Sequence, residues 1–206
     1  MQLRFFLVIG ITCMMCDAFA QETRIFVDPQ ASYKQAKEFF QNDQFSLAYP
    51  VFRELERSMR STDKTNNSLV HDDVYFYTIA CGLQQNETFA AEEAVNFVET
   101  NSNPSLGERL SFYLAEYYLR QNNMQQALSY YEKTNAANLS NRQIADMKFH
   151  QGYAYFTLQQ FDKAKPLLET IAKTPDDPNN KDANYYYGII EYSKSNYREA
   201  QTAFQK

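Results

Sequence analysis

Large apolar and small residues recur along this chain in one pattern, at spacings of 44, 35, 37 and 36 residues. In four copies, a small residue is followed twelve positions later by alanine, and an aromatic residue precedes it by three. The small–alanine pairs are Ala36–Ala48, Ala115–Ala127, Gly152–Ala164 and Gly188–Ala200. In an α-helix, positions −3, 0 and +4 fall within about 60° of one another. The pattern therefore predicts helices with an apolar stripe that is interrupted by a small residue.

Each copy predicts two helices joined by a tight turn, in which the small residue lets the second helix approach the first closely. Five such units are expected, at about 29–62, 73–106, 108–141, 145–178 and 181–206, the last of them incomplete. The second unit is degenerate, because Glu92 stands where the alanine partner of Ala80 would be. The polar stretch from Ser61 to Asp72 is interpreted as a linker, which lengthens the first spacing.

The composition also favours a helical protein, and the charge bears on which class of partner it binds. Strand signals are weak, whereas the helix-favouring residues Gln, Glu, Ala, Leu and Lys are plentiful, so an all-α protein is expected. The net charge of −5 and the pI near 5.1 argue against a nucleic-acid partner, which would require a basic surface. The aromatic stripe of Tyr185, Gly188 and Tyr192 is expected to lie mostly in the core, as a repeating apolar face usually does.

Three stretches resemble tetratricopeptide repeats: "AEYYLRQNNMQQALSYYE", "GYAYFTLQQFDKA" and "GIIEYSKSNYREAQTAF". The resemblance extends from Pro29 to Lys206, although no copy has the family's tryptophan and Glu191 replaces a family tyrosine. It implies a right-handed α-solenoid of stacked helix-turn-helix repeats whose first helices line the concave side. The loop "TPDDP" before an aromatic-rich helix is similar to repeats of bacterial envelope assembly and coordinator proteins.

The first twenty residues predict export. They have the layout of a secretory signal peptide: a short positive head, an apolar run from Phe5 to Cys16 and the small-residue pattern at Ala18–Ala20. Cleavage after Ala20 would make Gln21 the new N-terminus. The apolar run is too short to span a membrane, and no span is expected in the mature chain. A lipid anchor on Cys16 is disfavoured by the residues before it. A periplasmic or outer-membrane-associated protein is therefore expected.

No catalytic constellation, cofactor motif or metal site is expected. His71, Asp72 and Asp73 are adjacent, but their position before a predicted helix favours a capping role. Cys81 remains as a single cysteine in the mature chain and has no histidine near it in sequence. The sequence thus predicts a protein without enzymatic activity.

Binding residues are expected on the first helices, at positions that point away from the small residue. The candidates for a partner-binding groove are Arg109, Tyr113, Glu116, Arg120, His150, Tyr153, Tyr186 and Ile189, with Asp146, Thr157, Asp182 and Ser193 at equivalent positions. Tyrosine and arginine are enriched at binding hot spots, so these positions favour an interaction groove. Packing between neighbouring first helices would explain the same pattern, and the sequence alone does not decide between the two interpretations.

The predicted function is a non-enzymatic scaffold of the bacterial cell envelope that binds a protein or an extended peptide in its groove. The alternative is a glycan-binding or nutrient-capture component of the outer-membrane surface, since exposed tyrosines can stack on sugars. An exposed apolar patch is expected around Ile189, Tyr192, Tyr197 and Phe204. It predicts either self-association or further repeats beyond Lys206.

Overall fold

The computed structural model describes residues 28–61 and 68–206, and these ranges contain ten α-helices and one short 3-10 turn without any strand. The all-α expectation is confirmed. The predicted signal peptide at 1–20, with Cys16, lies outside the described residues.

The helices form five consecutive pairs joined by short turns. Their bounds are α1 Pro29–Gln41, α2 Phe45–Ser61, α3 Ser68–Gln84, α4 Ala90–Thr100, α5 Pro104–Arg120, α6 Met124–Glu132, α7 Asn141–Thr157, α8 Phe161–Ala172, α9 Asn180–Ser193 and α10 Tyr197–Phe204. The 3-10 turn Ala136–Asn138 lies between α6 and α7. Each helix packs on its neighbours in sequence, and the first helices of successive pairs also contact one another in order, from α1 through α9. This is the stacking of a solenoid whose first helices form one layer.

Local sequence explains where several helices begin. The Asp28 carboxylate accepts a hydrogen bond from the Gln30 amide, and Pro29 occupies the first turn of α1, where its missing N–H costs nothing. Before α7, Ser140 and Gln143 form a capping box in which each side chain meets the backbone of the other. This cap fixes the start of α7, which matters below because α7 contributes to the cleft.

Every turn within a pair contains one non-glycine residue in the left-handed region, with φ between 56° and 64°. The five residues are Asp43, Asn86, Asn122, Gln159 and Ser195. Each donates its amide to a carbonyl three residues earlier, which ends the first helix of its pair. The shared geometry shows that the five turns are structurally equivalent.

The second pair departs from the others by one residue in its register. The left-handed residue follows Ala36, Ala115, Gly152 and Gly188 by seven positions, but Asn86 follows Ala80 by only six. The close approach in this pair is made by Gly82, where an added Cβ would lie 3.0 Å from the Cβ of Ala90. Glu92, which stands where the other units have alanine, is exposed. Accordingly, α3 packs more extensively on α2 and α5 than on α4.

Helix α3 begins earlier than the sequence suggested, within the stretch that was interpreted as a linker. It starts at Ser68, and Val70 already packs against the main core. The helix therefore begins more than one turn before the predicted start at residue 73. His71 and Asp73 are consequently helical residues rather than caps.

The core is largely aromatic and runs through the first three pairs. Phe40 of α1 meets Tyr77 of α3 at a ring-centroid distance of 4.8 Å and Tyr113 of α5 at 5.6 Å. Such edge-to-face pairs add specificity to the apolar burial. Cys81 is fully buried in this core, and burial raises the pKa of its thiol to about 12, so the thiol is unreactive.

Among the described residues, no helix combines the length and the apolar character needed to cross a membrane.

Candidate binding cleft

A cleft of about 510 Å³ opens on the layer of first helices, between α1, α3, α5 and the start of α7. Its apolar wall consists of Phe40, Phe45, Tyr77, Phe112 and Tyr113. Charged and amide side chains complete it, including Arg109, Glu116, Arg142, Gln143 and Asp146. The volume lies within the range of sites that enclose a small ligand or the anchoring side chains of a peptide.

Arg109 supplies an uncommitted positive charge to the cleft. Its guanidinium carbon lies 4.4 Å from the ring centroid of Phe76 and 5.8 Å from that of Tyr77. Within residues 28–61 and 68–206, no carboxylate forms an ion pair with Arg109. Stacking on two aromatic rings holds the guanidinium plane in place while its N–H groups remain available. The arrangement suits recognition of a carboxylate or of backbone carbonyl groups.

Tyr113 also lines the cleft, but it is a core residue rather than a surface one. Only 6% of it is exposed, and its hydroxyl accepts a hydrogen bond from Gln143 Nε2 at 3.0 Å. Burial raises the pKa of Tyr113 well above its ordinary value. Although Tyr113 points away from the small residue of its helix, it is buried, because the winding of the solenoid brings Phe40 of α1 onto it.

Glu116 is the centre of a hydrogen-bonded network that joins three helices. Its Oε1 accepts a hydrogen bond from the Tyr131 hydroxyl at 2.6 Å and lies 2.8 Å from Nδ1 of His150. Burial opposes a charge on His150, but the hydrogen bond and the charge of Glu116, together with Asp146, raise the pKa of His150 above its ordinary value. The network therefore favours a protonated imidazole beside the carboxylate.

An ion pair crosses the mouth of the cleft. Arg142, at the start of α7, places Nη1 3.1 Å from Oδ2 of Asp43, the left-handed residue in the turn between α1 and α2. The same guanidinium lies 4.0 Å from Asp146. Burial and Glu116 raise the pKa of Asp146, although His150, Asn179 and Arg142 counteract them. We call the Arg142–Asp43 pair the clasp.

Arg120 is not among the residues that line the cleft, and its side chain completes the end of another helix. Its Nη2 donates to the carbonyl oxygen of Leu83 at 2.8 Å, and its Nη1 lies 3.4 Å from Gln84 Oε1. Leu83 is in the last turn of α3, where carbonyl groups lack partners within the helix and attract cations. Arg120 thus has a structural role that the sequence pattern did not indicate.

The remaining candidates belong to the junction between α7 and α9. Tyr153 and Tyr186 meet at 5.3 Å, and Tyr186 also contacts Phe156 at 5.0 Å. Ile189 is half-buried on α9, and none of these side chains lines the cleft. For Tyr153 and Tyr186, the structure corresponds to the alternative of packing between neighbouring first helices. At the outer positions of these helices, Thr157, Asp182 and Ser193 are exposed.

Sequence reasoning missed most of the residues that line the cleft, among them the polar residues Asp43, Gln84, Arg142 and Gln143. Asp43 lies in a turn and Arg142 at a helix start, so neither occupies the helical offsets used to select candidates. The adjacent acidic residues near the start of α3 are engaged elsewhere: Asp73 accepts from the Tyr33 hydroxyl and lies 4.0 Å from Lys37.

Comparison with known protein families gives a match for the C-terminal part of the chain. A family model described as tetratricopeptide repeat matches residues 149–206. Among curated proteins, none is significantly similar to the chain in sequence.

Three solved structures share the fold at low sequence identity. A point mutant of MamA superposes with a TM-score of 0.62 at 14% identity, over 86% of this chain and 94% of that one. The apo form of RapI gives a TM-score of 0.62 at 15% identity, over 86% of this chain and 68% of that one. Kinesin light chain TPR-like repeats from Podospora anserina give a TM-score of 0.58 at 15% identity, over 85% and 91%. The family match thus covers the last two helical pairs, and the described helices as a whole share the solenoid fold of these structures.

Proposed function

We propose that this protein is a non-enzymatic scaffold that binds an extended segment of another protein in the cleft between α1, α3, α5 and α7. Tetratricopeptide repeats generally serve as protein-binding scaffolds without catalytic activity, which supports the class of function. The observation that carries the proposal is Arg109, an aromatic-stacked guanidinium that has no acidic partner among the described residues.

The walls of the cleft are already formed, which favours binding. The aromatic wall is held in place by core packing, and Gln143 is fixed by its bond to Tyr113 and by the capping box. A pre-organised surface loses little conformational entropy when a partner binds. The ligand would then contribute backbone carbonyls or a carboxylate to Arg109, and apolar side chains to the aromatic wall.

A selection from a library of short peptides tests this proposal. Peptides selected on the wild-type protein should bind the Arg109→Ala variant at least about tenfold more weakly, which corresponds to about 1.4 kcal/mol. Arg57→Ala is the matched control, because Arg57 is exposed on α2 beside Glu54 and lies outside the cleft. Unchanged affinity for the Arg109 variant would exclude the cleft as the binding site.

Glycan binding is the weaker alternative. Sugar recognition by stacking requires free ring faces, and in the cleft Tyr77 and Tyr113 are only 5% and 6% exposed. Both rings are in contact with Phe40 on the side of α1. The exposed tyrosines Tyr185, Tyr192 and Tyr197 lie on α9 and α10, outside the cleft. The expectation that Tyr185 and Tyr192 lie mostly in the core is therefore wrong.

We further propose that binding takes place in a bacterial cell envelope. The support is the signal-peptide layout of residues 1–20, which ends in small residues at Ala18 and Ala20. N-terminal sequencing of the protein recovered from its host should give Gln21 as the first residue. Recovery of a chain that still begins at Met1 would contradict export by this route.

A further inference from the structure

Charged side chains of alternating sign extend from the mouth of the cleft along α7 to α5. The series begins with the clasp and continues through Asp146 and His150 to Glu116. Arg142, Asp146 and His150 are four residues apart on α7, so they lie on one face of that helix. Glu116 closes the series from α5, with its Oε1 2.8 Å from Nδ1 of His150. His150 therefore connects two carboxylates of the cleft wall, although it does not itself line the cleft.

His150 is the member of this series whose charge changes near neutral pH. A guanidinium stays protonated and carboxylates ordinarily ionise near about pH 4, whereas the ordinary pKa of imidazole is about 6.5. The side chain of His150 is 25% exposed, so it exchanges protons with solvent while it remains in the network. The cleft wall thus contains one group that responds to the pH of its surroundings.

The helices packed around His150 determine at which pH it loses its proton. Their charged or titratable side chains in this region are Glu116 and Arg120 on α5, Tyr131 on α6, Asp146 on α7, and Tyr186 with Asp182 on α9. Helix α8 packs on the face of α7 that contains Gly152, about 200° around the helix from His150. Burial raises the pKa of both tyrosines, which keeps them neutral. Burial and Arg120 lower the pKa of His150, but the hydrogen bond to Glu116 and the two neighbouring carboxylates raise it by more.

Loss of this proton changes the charge of the wall and leaves its geometry in place. A neutral imidazole that keeps its hydrogen on Nδ1 still donates to Glu116, which also accepts from the Tyr131 hydroxyl. Among the described residues, two arginines and three carboxylates line the cleft. A protonated His150 therefore balances the charge of the site, whereas a neutral His150 leaves one negative charge without a counterpart.

We propose that His150 makes binding in the cleft pH-dependent, so that an acidic segment binds while His150 is protonated and is released when the imidazole loses its proton. The proposal rests on the proposed function, which places a carboxylate of the ligand against Arg109. Arg109 precedes Glu116 by seven residues on α5, a distance of about 10 Å along the helix. Two unit charges about 10 Å apart change an affinity by about twofold in bulk water and by about fifteenfold at the effective dielectric constant of a protein surface.

The affinity of one acidic peptide, measured as a function of pH, tests the proposal. The probe is a peptide with a single Asp or Glu, selected on the purified full chain as described above, and its affinity is read by fluorescence anisotropy. From about pH 6 upward, the affinity should fall by about twofold to about fifteenfold as His150 loses its proton. The same peptide with Asn or Gln in place of its acidic residue should bind without this dependence.

Two glutamine variants show which histidine is responsible. His150→Gln is uncharged at every pH, so it should bind the acidic peptide with the weaker affinity throughout. His71→Gln is the matched control and should keep the dependence of the wild type, because His71 lies on α3 and does not line the cleft.

Nuclear magnetic resonance of the wild type provides a second measurement that requires no variant to fold. The chain has two histidines, so their imidazole signals are readily distinguished. Binding of the acidic peptide should move the titration of His150 to higher pH, by the logarithm of the affinity ratio, and leave that of His71 unchanged.

Three results would overturn the proposal and leave the cleft as the binding site. They are an affinity that does not change with pH, a dependence that persists in His150→Gln and so belongs to another group such as Asp146, and a selection that yields no acidic peptide. Unchanged binding to Arg109→Ala is the separate result that would refute the proposed function.

Discussion

Arg142 and Asp43 are 99 residues apart in sequence, yet the guanidinium of one lies 3.1 Å from the carboxylate of the other. The pair joins the turn of the first helical pair to the start of the fourth, across the mouth of the cleft. Both side chains are largely exposed, at 75% and 57%. An exposed ion pair contributes about 0–1 kcal/mol to stability, so the clasp can open readily.

Removing the clasp should change binding kinetics more than stability. In Arg142→Ala, we expect a free energy of unfolding within about 1 kcal/mol of wild type and faster association of a cleft-binding peptide, because the mouth is no longer bridged. Stopped-flow measurements with a peptide selected as above, with Arg57→Ala as control, would show this. Slower association would instead mean that Arg142 contacts the ligand itself.

Arg120→Ala should behave in the opposite way to Arg109→Ala. Because Arg120 donates to the Leu83 carbonyl at the end of α3, its removal should lower the free energy of unfolding by about 1–2 kcal/mol. Peptide affinity should not change, since Arg120 is not part of the cleft wall. Thermal melts and titrations of both variants provide the comparison. Lost affinity with normal stability in Arg120→Ala would contradict its structural role.

Two glycines within helices should respond to alanine with opposite signs. A Cβ at Gly152 would lie 2.8 Å from Cγ of Leu168, so Gly152→Ala should destabilise the fold by about 1–2 kcal/mol through overpacking. At Gly107 of α5, the nearest heavy atom to such a Cβ is 3.8 Å away, and alanine favours helix by about 0.5–1 kcal/mol. Gly107→Ala should therefore stabilise. Equal shifts in chemical denaturation would contradict the assigned helix contact.

The network around His150 predicts how stability depends on pH. The pKa of His150 is raised in the folded state, because the hydrogen bond and charge of Glu116 and the charge of Asp146 outweigh burial and Arg120. Protonated His150 therefore stabilises the folded state. This stabilisation is fully present below the unfolded-state pKa of about 6.5 and is lost as the pH rises through the raised pKa of His150 in the folded state. Relative to His150→Gln, the wild type should lose stability as the pH rises from about 6.5 through the raised folded-state pKa of His150.

Matched melts of His71→Gln provide the control for that experiment, because His71 is 3.9 Å from Asp72 and lies outside the Glu116 network. A stability difference between wild type and His150→Gln that grows with pH would have the wrong sign and would exclude the protonated pair.

Helical pairing could be predicted from sequence because it depends on local periodicity. Gly152 and Gly188 each mark the close contact between the two helices of their own pair. Such contacts can be predicted from the sequence because the apolar residues around each glycine recur with the 3.6-residue period of a helix. The contact within the second pair is more difficult to predict, since it is made by Gly82 instead of Ala80, the residue at the repeating position. A one-residue change of register leaves almost no signal in a single sequence.

The cleft could be predicted only in part, because it depends on how the pairs wind around one another. Two of the candidates on the first helices, Arg109 and Glu116, lie along the cleft, and whether they bind a partner stays a prediction. Tyr113 was placed on the outside, although Phe40 covers it from two pairs away. The clasp residues Asp43 and Arg142 come together only through the accumulated rotation of the pairs between them, which spacing along the chain does not reveal.

Site-specific photo-crosslinking in the native host tests most directly whether the cleft binds a protein partner. A photoreactive amino acid at Gln41, an exposed residue of the cleft wall, should yield a discrete crosslinked partner. The same probe at Ser129, exposed on α6 outside the cleft, should not, and Arg109→Ala should abolish the Gln41 product. A partner captured at Ser129 but not at Gln41, or a Gln41 product that persists without Arg109, would contradict the proposed binding site.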